Sequence, residues 1–266
     1  MTLGFSVNDL LPHARGGGQL KIGLAKLTED EWLQPRPDLA ARADGFAAHP
    51  EGVQLTPEAE APGRELASML GVEGGLPEAA LSAWEDMCLL TRRPDEEIYR
   101  LIGAAVAFPT DWHPAQKMGL PMTALHGPID GYAEQLSAPV DRFMMKLKPD
   151  AIYGRCNWFI APTGAYRWIA EGASEQRFAH VTPENAGKTL FARSERQTLR
   201  RLPETGAILF TIGVYVMPLA GLTDENLAKI ASAVAEIGAG EGDRRGSPHY
   251  AAALGAYAAA RAQAIE

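Results

Sequence analysis

Residues 206–219 read GAILFTIGVYVMPL, a run without a single charge, opened by Gly206 and closed by Pro218 and Leu219. It is rich in β-branched and aromatic residues, and it is shorter than the ~18 apolar residues of a membrane helix. The run therefore predicts a long buried strand, and a strand needs partners. Two further stretches qualify: LIGAAVAFP, Leu101 to Pro109, and AIYGRCNWFIAP, with its strand over Ile152 to Ile160. Helical spacing of apolar residues predicts helices over Pro57–Leu70, Leu76–Leu90 and Pro139–Leu147. In the second of these, Leu81, Trp84, Met87 and Cys88 line one face. LTDENLAKIASAVAEIG predicts an amphipathic helix, with Thr223 as N-cap and Leu227, Ile230, Val234 and Ile237 as its stripe. An Ala-rich helix follows in SPHYAAALGAYAAARAQ. No repeat or linker divides the chain. The expectation is a single α+β domain with a mostly antiparallel sheet flanked by helices.

The first fifty residues are rich in Gly, Pro and charge, with GGG at Gly16–Gly18 and PRP at Pro35–Pro37. They read as an extended N-terminal arm over 1–50, ahead of the main domain over 51–266. The 266 residues carry a net charge of −8, which disfavours general affinity for nucleic acid or for an anionic membrane. The two cysteines, Cys88 and Cys156, form no zinc spacing and imply no disulfide framework. No signal-like leader opens the chain, so a reducing cytoplasm is expected.

Against the acidic background, ARSERQTLRRL packs four arginines into nine residues, Arg193, Arg196, Arg200 and Arg201. SERQTLRRL predicts a short helix. At 100° per residue, Arg193, Arg196 and Arg200 would then fall within about 60° of one another. Such a face is either solvated and paired with glutamates, or it is an anion site, since guanidinium groups suit carboxylate and phosphate. Asp141, Glu134 or Glu175 would serve as protein counter-charges, and so would a ligand.

The segment TDWHPAQKMGLPMTALHGPIDGY is too rich in turn formers for a helix. Loops of this length inside a compact domain tend to be functional, which makes it the place to look for a site. It holds His113 and His126.

Taken together, ERQTLRRLPETGAILFTI (Glu195–Ile212), WEDMCLL (Trp84–Leu90), FPTDWHPAQKMG (Phe108–Gly119), LHGPIDGY (Leu125–Tyr132), VDRFM (Val140–Met144) and RCNW (Arg155–Trp158) resemble, in order, the haem-dependent oxidative N-demethylases, the catalytic-subunit family that includes dimethylamine monooxygenase. The resemblance spans roughly residues 30 to 220. It implies a PAS-like α+β domain holding haem b, at whose iron dioxygen oxidises an N-methyl group of a small secondary amine to give a primary amine and formaldehyde. It also implies electrons from NADPH through FMN and an iron–sulfur centre on separate reductase subunits. This chain has no cysteine cluster and no GxGxxG fingerprint for them.

A haem needs an axial donor, cations for its propionates and apolar walls. Arg196, Arg200 and Arg201 are candidates for the propionates, with Lys117 and Arg155 beside them. Phe108, Trp112, Leu125, Trp158, Phe210 and Ile212 are candidates for the walls. The resemblance places the axial ligand at His126, with His113 as rival and His180 as a weaker one; His13, His49 and His249 read as peripheral. The catalytic acid or base is not assigned, and Glu195, Asp86 and Asp111 are candidates.

The chain departs from the family pattern at Asp130, where a second proline is expected, and at Gly213, where a basic residue is expected. It is also shorter than a full catalytic subunit. These departures keep a second reading open, a haem-binding sensor or carrier, or a haem-free descendant that binds another anion.

Overall fold

A computed structural model describes residues 3–14, 23–93, 96, 98–125 and 137–264. The expected α+β architecture holds. Seven strands form one sheet: β1 (Ala25–Leu27), β2 (Val53–Leu55), β3 (Asp86–Thr91), β4 (Arg100–Ala105), β5 (Ile152–Ala161), β6 (Phe191–Arg201) and β7 (Ile208–Pro218). Their order is β1-β5-β6-β7-β3-β4-β2. β1 with β5, β2 with β4, and β3 with both β4 and β7 pair antiparallel. β7, the uncharged run, sits inside the sheet, where both of its faces find cover.

Two predicted helices are corrected. Leu76–Leu90 is a helix only over Leu76–Leu81; a turn follows over 82–85 and β3 takes up Asp86 onwards. The run Met87–Leu90 is apolar at every position, so it fits a helical stripe and a strand buried on both faces equally well. Ser194–Leu202, expected as a short helix, belongs to β6 as far as Arg201. Its residues from Ala192 to Thr198 are all buried, which hides the alternation that would have marked a strand. Within the first fifty residues, read as an arm, the chain forms β1 and the helix Leu39–Ala48, capped by Asp38 accepting from the Ala41 amide at 3.0 Å.

The described residues group into two compact units. One draws on 1–3, 20–155 and 196–213, the other on 4–19, 156–195 and 214–266, so β5, β6 and β7 contribute residues to each. In the first unit a core of Cys88, Leu90, Tyr99, Leu101, Val106, Met122, Met144, Leu147 and Ile208 lies between sheet and helix. In the second, the helix Asp224–Ala235 is capped by Thr223, whose hydroxyl accepts from the Asn226 amide at 3.2 Å, and it packs on the helix Ala251–Gln263. There Gly187 lets the Tyr257 ring approach, since a Cβ would lie 2.5 Å from it. Among the described residues no helix is long and apolar enough to cross a membrane.

Candidate functional site

The arginines of β6 divide by face because the segment is a strand, in which residues three apart cannot share a side. Arg196, fully buried, donates through Nη1 to the Trp32 carbonyl at 3.0 Å, through Nη2 to the Glu31 carbonyl and through Nε to the Leu3 carbonyl at 3.4 Å. Arg200, on the same face, pairs with Glu29 at 2.5 Å and lays its guanidinium 4.4 Å from the Trp32 ring centroid. Arg201 points the other way. It donates to the carbonyls of Leu147 (2.7 Å), Gly206 (2.6 Å) and Met144 (2.5 Å), and to the Tyr99 hydroxyl (3.0 Å). Two of these carbonyls end the helix Ser137–Lys146, so Arg201 caps it with a cation where the helix dipole is negative. Arg193, in the second unit, donates to the Ala165 carbonyl at 3.1 Å. Buried guanidinium groups are thus met largely by main-chain oxygens, the acceptors that fixed backbone offers.

The WEDMCLL segment carries a second buried cluster. Asp86 pairs with Arg42 and accepts from the amides of Ala107 (2.7 Å) and Phe108 (3.2 Å). Arg42 also donates to the Ala80 and Glu85 carbonyls and stacks under Phe46 and Phe108, 4.7 and 5.4 Å from their centroids. Phe108 packs on Trp84 at 4.9 Å. Asp86 and Phe108, candidates for catalysis and for a haem wall, are therefore engaged in fastening the end of β4 to the start of β3.

A different surface of the first unit has the makings of a ligand face. Tyr153 of β5, Leu199 of β6 and Phe210 of β7 are half-buried and pack against the core, together with Trp112, Met118, Leu125, Val140 and Phe143. Phe143, from the helix Ser137–Lys146, meets Tyr153 edge-on at 5.1 Å. Arg155, two residues along β5 from Tyr153, is half-buried and donates through Nε to Gln197 at 2.8 Å. Lys117 donates to the Leu125 carbonyl at 3.0 Å. On the same helix the carboxyl of Asp141 is pushed up by burial, and its Oδ1 has no partner among the described residues.

The long loop is anchored at several points. Gly119 donates to the Leu101 carbonyl, Leu101 to Leu120 and Met122 to Tyr99, which lays 119–122 against the start of β4 before the short helix Met122–Leu125. Asp111 adopts the left-handed region with φ 56°, uncommon outside glycine and most tolerated by Asn and Asp. His113 caps a short turn at Pro114–Gln116. His126 and Glu134 lie outside the described residues.

Of the expected site residues, the first unit brings Trp112, Lys117, Leu125, Arg155 and Phe210 to the half-buried face or its neighbours. Arg196 and Arg200 act on the opposite side of β6. Trp158 belongs to the second unit, where it is buried, its carbonyl accepts from Arg245 at 2.9 Å, and the Arg245 guanidinium lies 5.7 Å from its ring. His180 is exposed in that unit and Glu195 is buried there. Sequence reasoning missed Tyr153, Phe143 and Gln197. Only strand alternation from Arg155 would have found Tyr153.

A half-buried aromatic face with the cations of Arg155 and Lys117 beside it is chemically suited to a flat, apolar, acid-tailed ligand. The comparison with known families agrees with that chemistry: the model for haem-dependent oxidative N-demethylase, alpha subunit-like proteins matches residues 72–254, more than half of the chain, and the protein belongs to that family.

Proposed function

We propose that the chain holds haem b against the half-buried face of its first unit and oxidatively N-demethylates a small secondary amine, giving a primary amine and formaldehyde. The observation that carries this reading is the aromatic surface of Tyr153, Phe143, Trp112 and Phe210. Haem needs apolar walls, and these residues, only half-buried where they pack against the core, offer them. Arg155 and Lys117 meet the propionates through charge-assisted hydrogen bonds. Arg196, Arg200 and Arg201 serve the same end indirectly, by fixing β6 and the helix Ser137–Lys146. His126, one residue past the Leu125 carbonyl that Lys117 engages, would hold the iron. The fold in this reading is PAS-like, and the location cytoplasmic.

When bound, haem supplies dioxygen activation at its iron. The chain's own part is to exclude water with the aromatic face, to hold the amine against it and to keep the acid tails paired. NADPH, FMN and an iron–sulfur centre belong to separate reductase subunits in this reading, as the words "alpha subunit" in the family description suggest.

Reconstitution with hemin tests the proposal. The wild-type protein is expected to give a sharp Soret band at one equivalent, and His126→Ala to blunt it. No band in the wild type overturns the haem reading. With a competent reductase and dimethylamine, formaldehyde release separates the demethylase from a haem-binding sensor or carrier, which would bind oxygen without turnover.

A further inference from the structure

Residues 28–36 cross the first unit as a strap, begun by a capping box in which the Thr28 amide and hydroxyl donate to Glu31 at 2.9 and 3.1 Å. Three side chains fasten it. Arg196 takes the Glu31 and Trp32 carbonyls, Arg200 lies on the Trp32 ring and pairs with Glu29, and Glu85 accepts from the Gln34 amide through Oε1 at 2.9 Å. Glu85 is fully buried. Its second oxygen, Oε2, has no hydrogen-bond partner, and neither do Trp32 Nε1, Gln34 Oε1 and Arg200 Nε among the described residues. Four buried polar atoms without partners, two donors and two acceptors, belong to the strap or to the side chains that fasten it. A seat of this kind is satisfied only when water reaches it.

We propose that Glu85 is a proton-controlled latch for residues 28–36: as a neutral acid it fits its buried seat under the strap, and as a carboxylate it drives the strap open to solvent.

The strap itself carries Glu29, Asp30, Glu31 and Arg36, and Asp86 is next in the chain; from β6 come Arg196 and Arg200 and from the helix Leu39–Ala48 comes Arg42, of which Arg196 and Arg42 act on Glu85 by charge. Arg42 is taken by Asp86 and two carbonyls, and Arg196 is engaged by the strap's own carbonyls. Burial therefore dominates. It pushes the Glu85 carboxyl from 4.5 up to about 7, against the opposing pull of the Gln34 amide, Arg196 and Arg42.

The sign follows from linkage. The closed strap holds the Glu85 proton more tightly than the open one, so opening releases it. The opening constant is flat below about pH 4.5, rises about tenfold per pH unit towards pH 7, and levels off above that.

Hydrogen exchange on the whole chain between pH 4.5 and 8, corrected for the intrinsic rate, reads this directly. The amides of 29–36 should be less protected than those of β3 and β7, and their opening should increase by about two orders of magnitude across that range. Glu85→Gln should flatten the profile. Strap amides as protected as β3 and β7 at every pH would show that the strap does not open by itself, and the proposal falls. So does a wild-type strap that opens with no pH dependence, or a Glu85→Gln protein with the wild-type slope. The first two outcomes need no variant, so the proposal stays testable if Glu85→Gln does not fold.

Discussion

Arg42 sits in a fully buried position with its charge met by Asp86, and Asp86 in turn holds the Ala107 and Phe108 amides. Removing one member of such a set leaves the other buried and unpaired. Arg42→Met is accordingly expected to lower unfolding free energy by about 3–5 kcal/mol, read by urea denaturation. Nothing local in the sequence points to Arg42, because its partner is 44 positions away. The motifs WEDMCLL and FPTDWHPAQKMG were legible as separate family marks. That one carboxylate joins them was not, since hydrogen bonds between distant segments leave no spacing to read.

The elements show where periodicity informs and where it misleads. The helices over Asp224–Ala235 and Ser137–Lys146 were legible because each has one wet face and one dry one. β6 was not, because both of its faces are covered and arginines three and four apart imitate a helical stripe. Its exit is a six-residue turn, Leu202–Ala207, in which Gly206 takes φ 73°. Glu65, reaching over from the helix Glu60–Met69, accepts from the Glu204 amide (2.7 Å), the Thr205 amide (2.9 Å) and the Thr205 hydroxyl (2.5 Å). The PETG stretch of the family signature is thus a turn held by one acid. Glu65→Ala, which strands those donors, should reduce stability by about 2–4 kcal/mol in thermal unfolding. Gly206→Ala should reduce it by about 1–2 kcal/mol through the left-handed backbone alone.

At the scale of the molecule, the two groups of basic residues should behave oppositely. Arg155→Gln and Lys117→Gln are expected to lower hemin affinity by about 10- to 100-fold each, since a charge-assisted hydrogen bond contributes roughly 1.5–3 kcal/mol. Their melting temperatures should stay near that of the wild type, because both side chains are only half-buried. Arg201→Gln should do the reverse first, lowering the melting temperature as the helix Ser137–Lys146 loses its C-terminal cap. Equal loss of hemin affinity in all three, with no change in melting, would place Arg201 at the ligand instead. The family and the α+β class were legible from motif order. The division of labour among the arginines was not, because it depends on which main-chain oxygens surround each one.

That division bears on how relatives of this protein should be sorted. The stretch by which the lineage is most readily recognised, ERQTLRRLPETGAILFTI, is occupied with holding its own scaffold upright. A descendant that had abandoned oxygen chemistry altogether would still need it. Bearing the emblem is therefore poor testimony to activity, and a survey that separates working catalysts from retired ones should weigh the residues of the proposed haem face instead, Trp112, Lys117, Phe143, Tyr153 and Arg155.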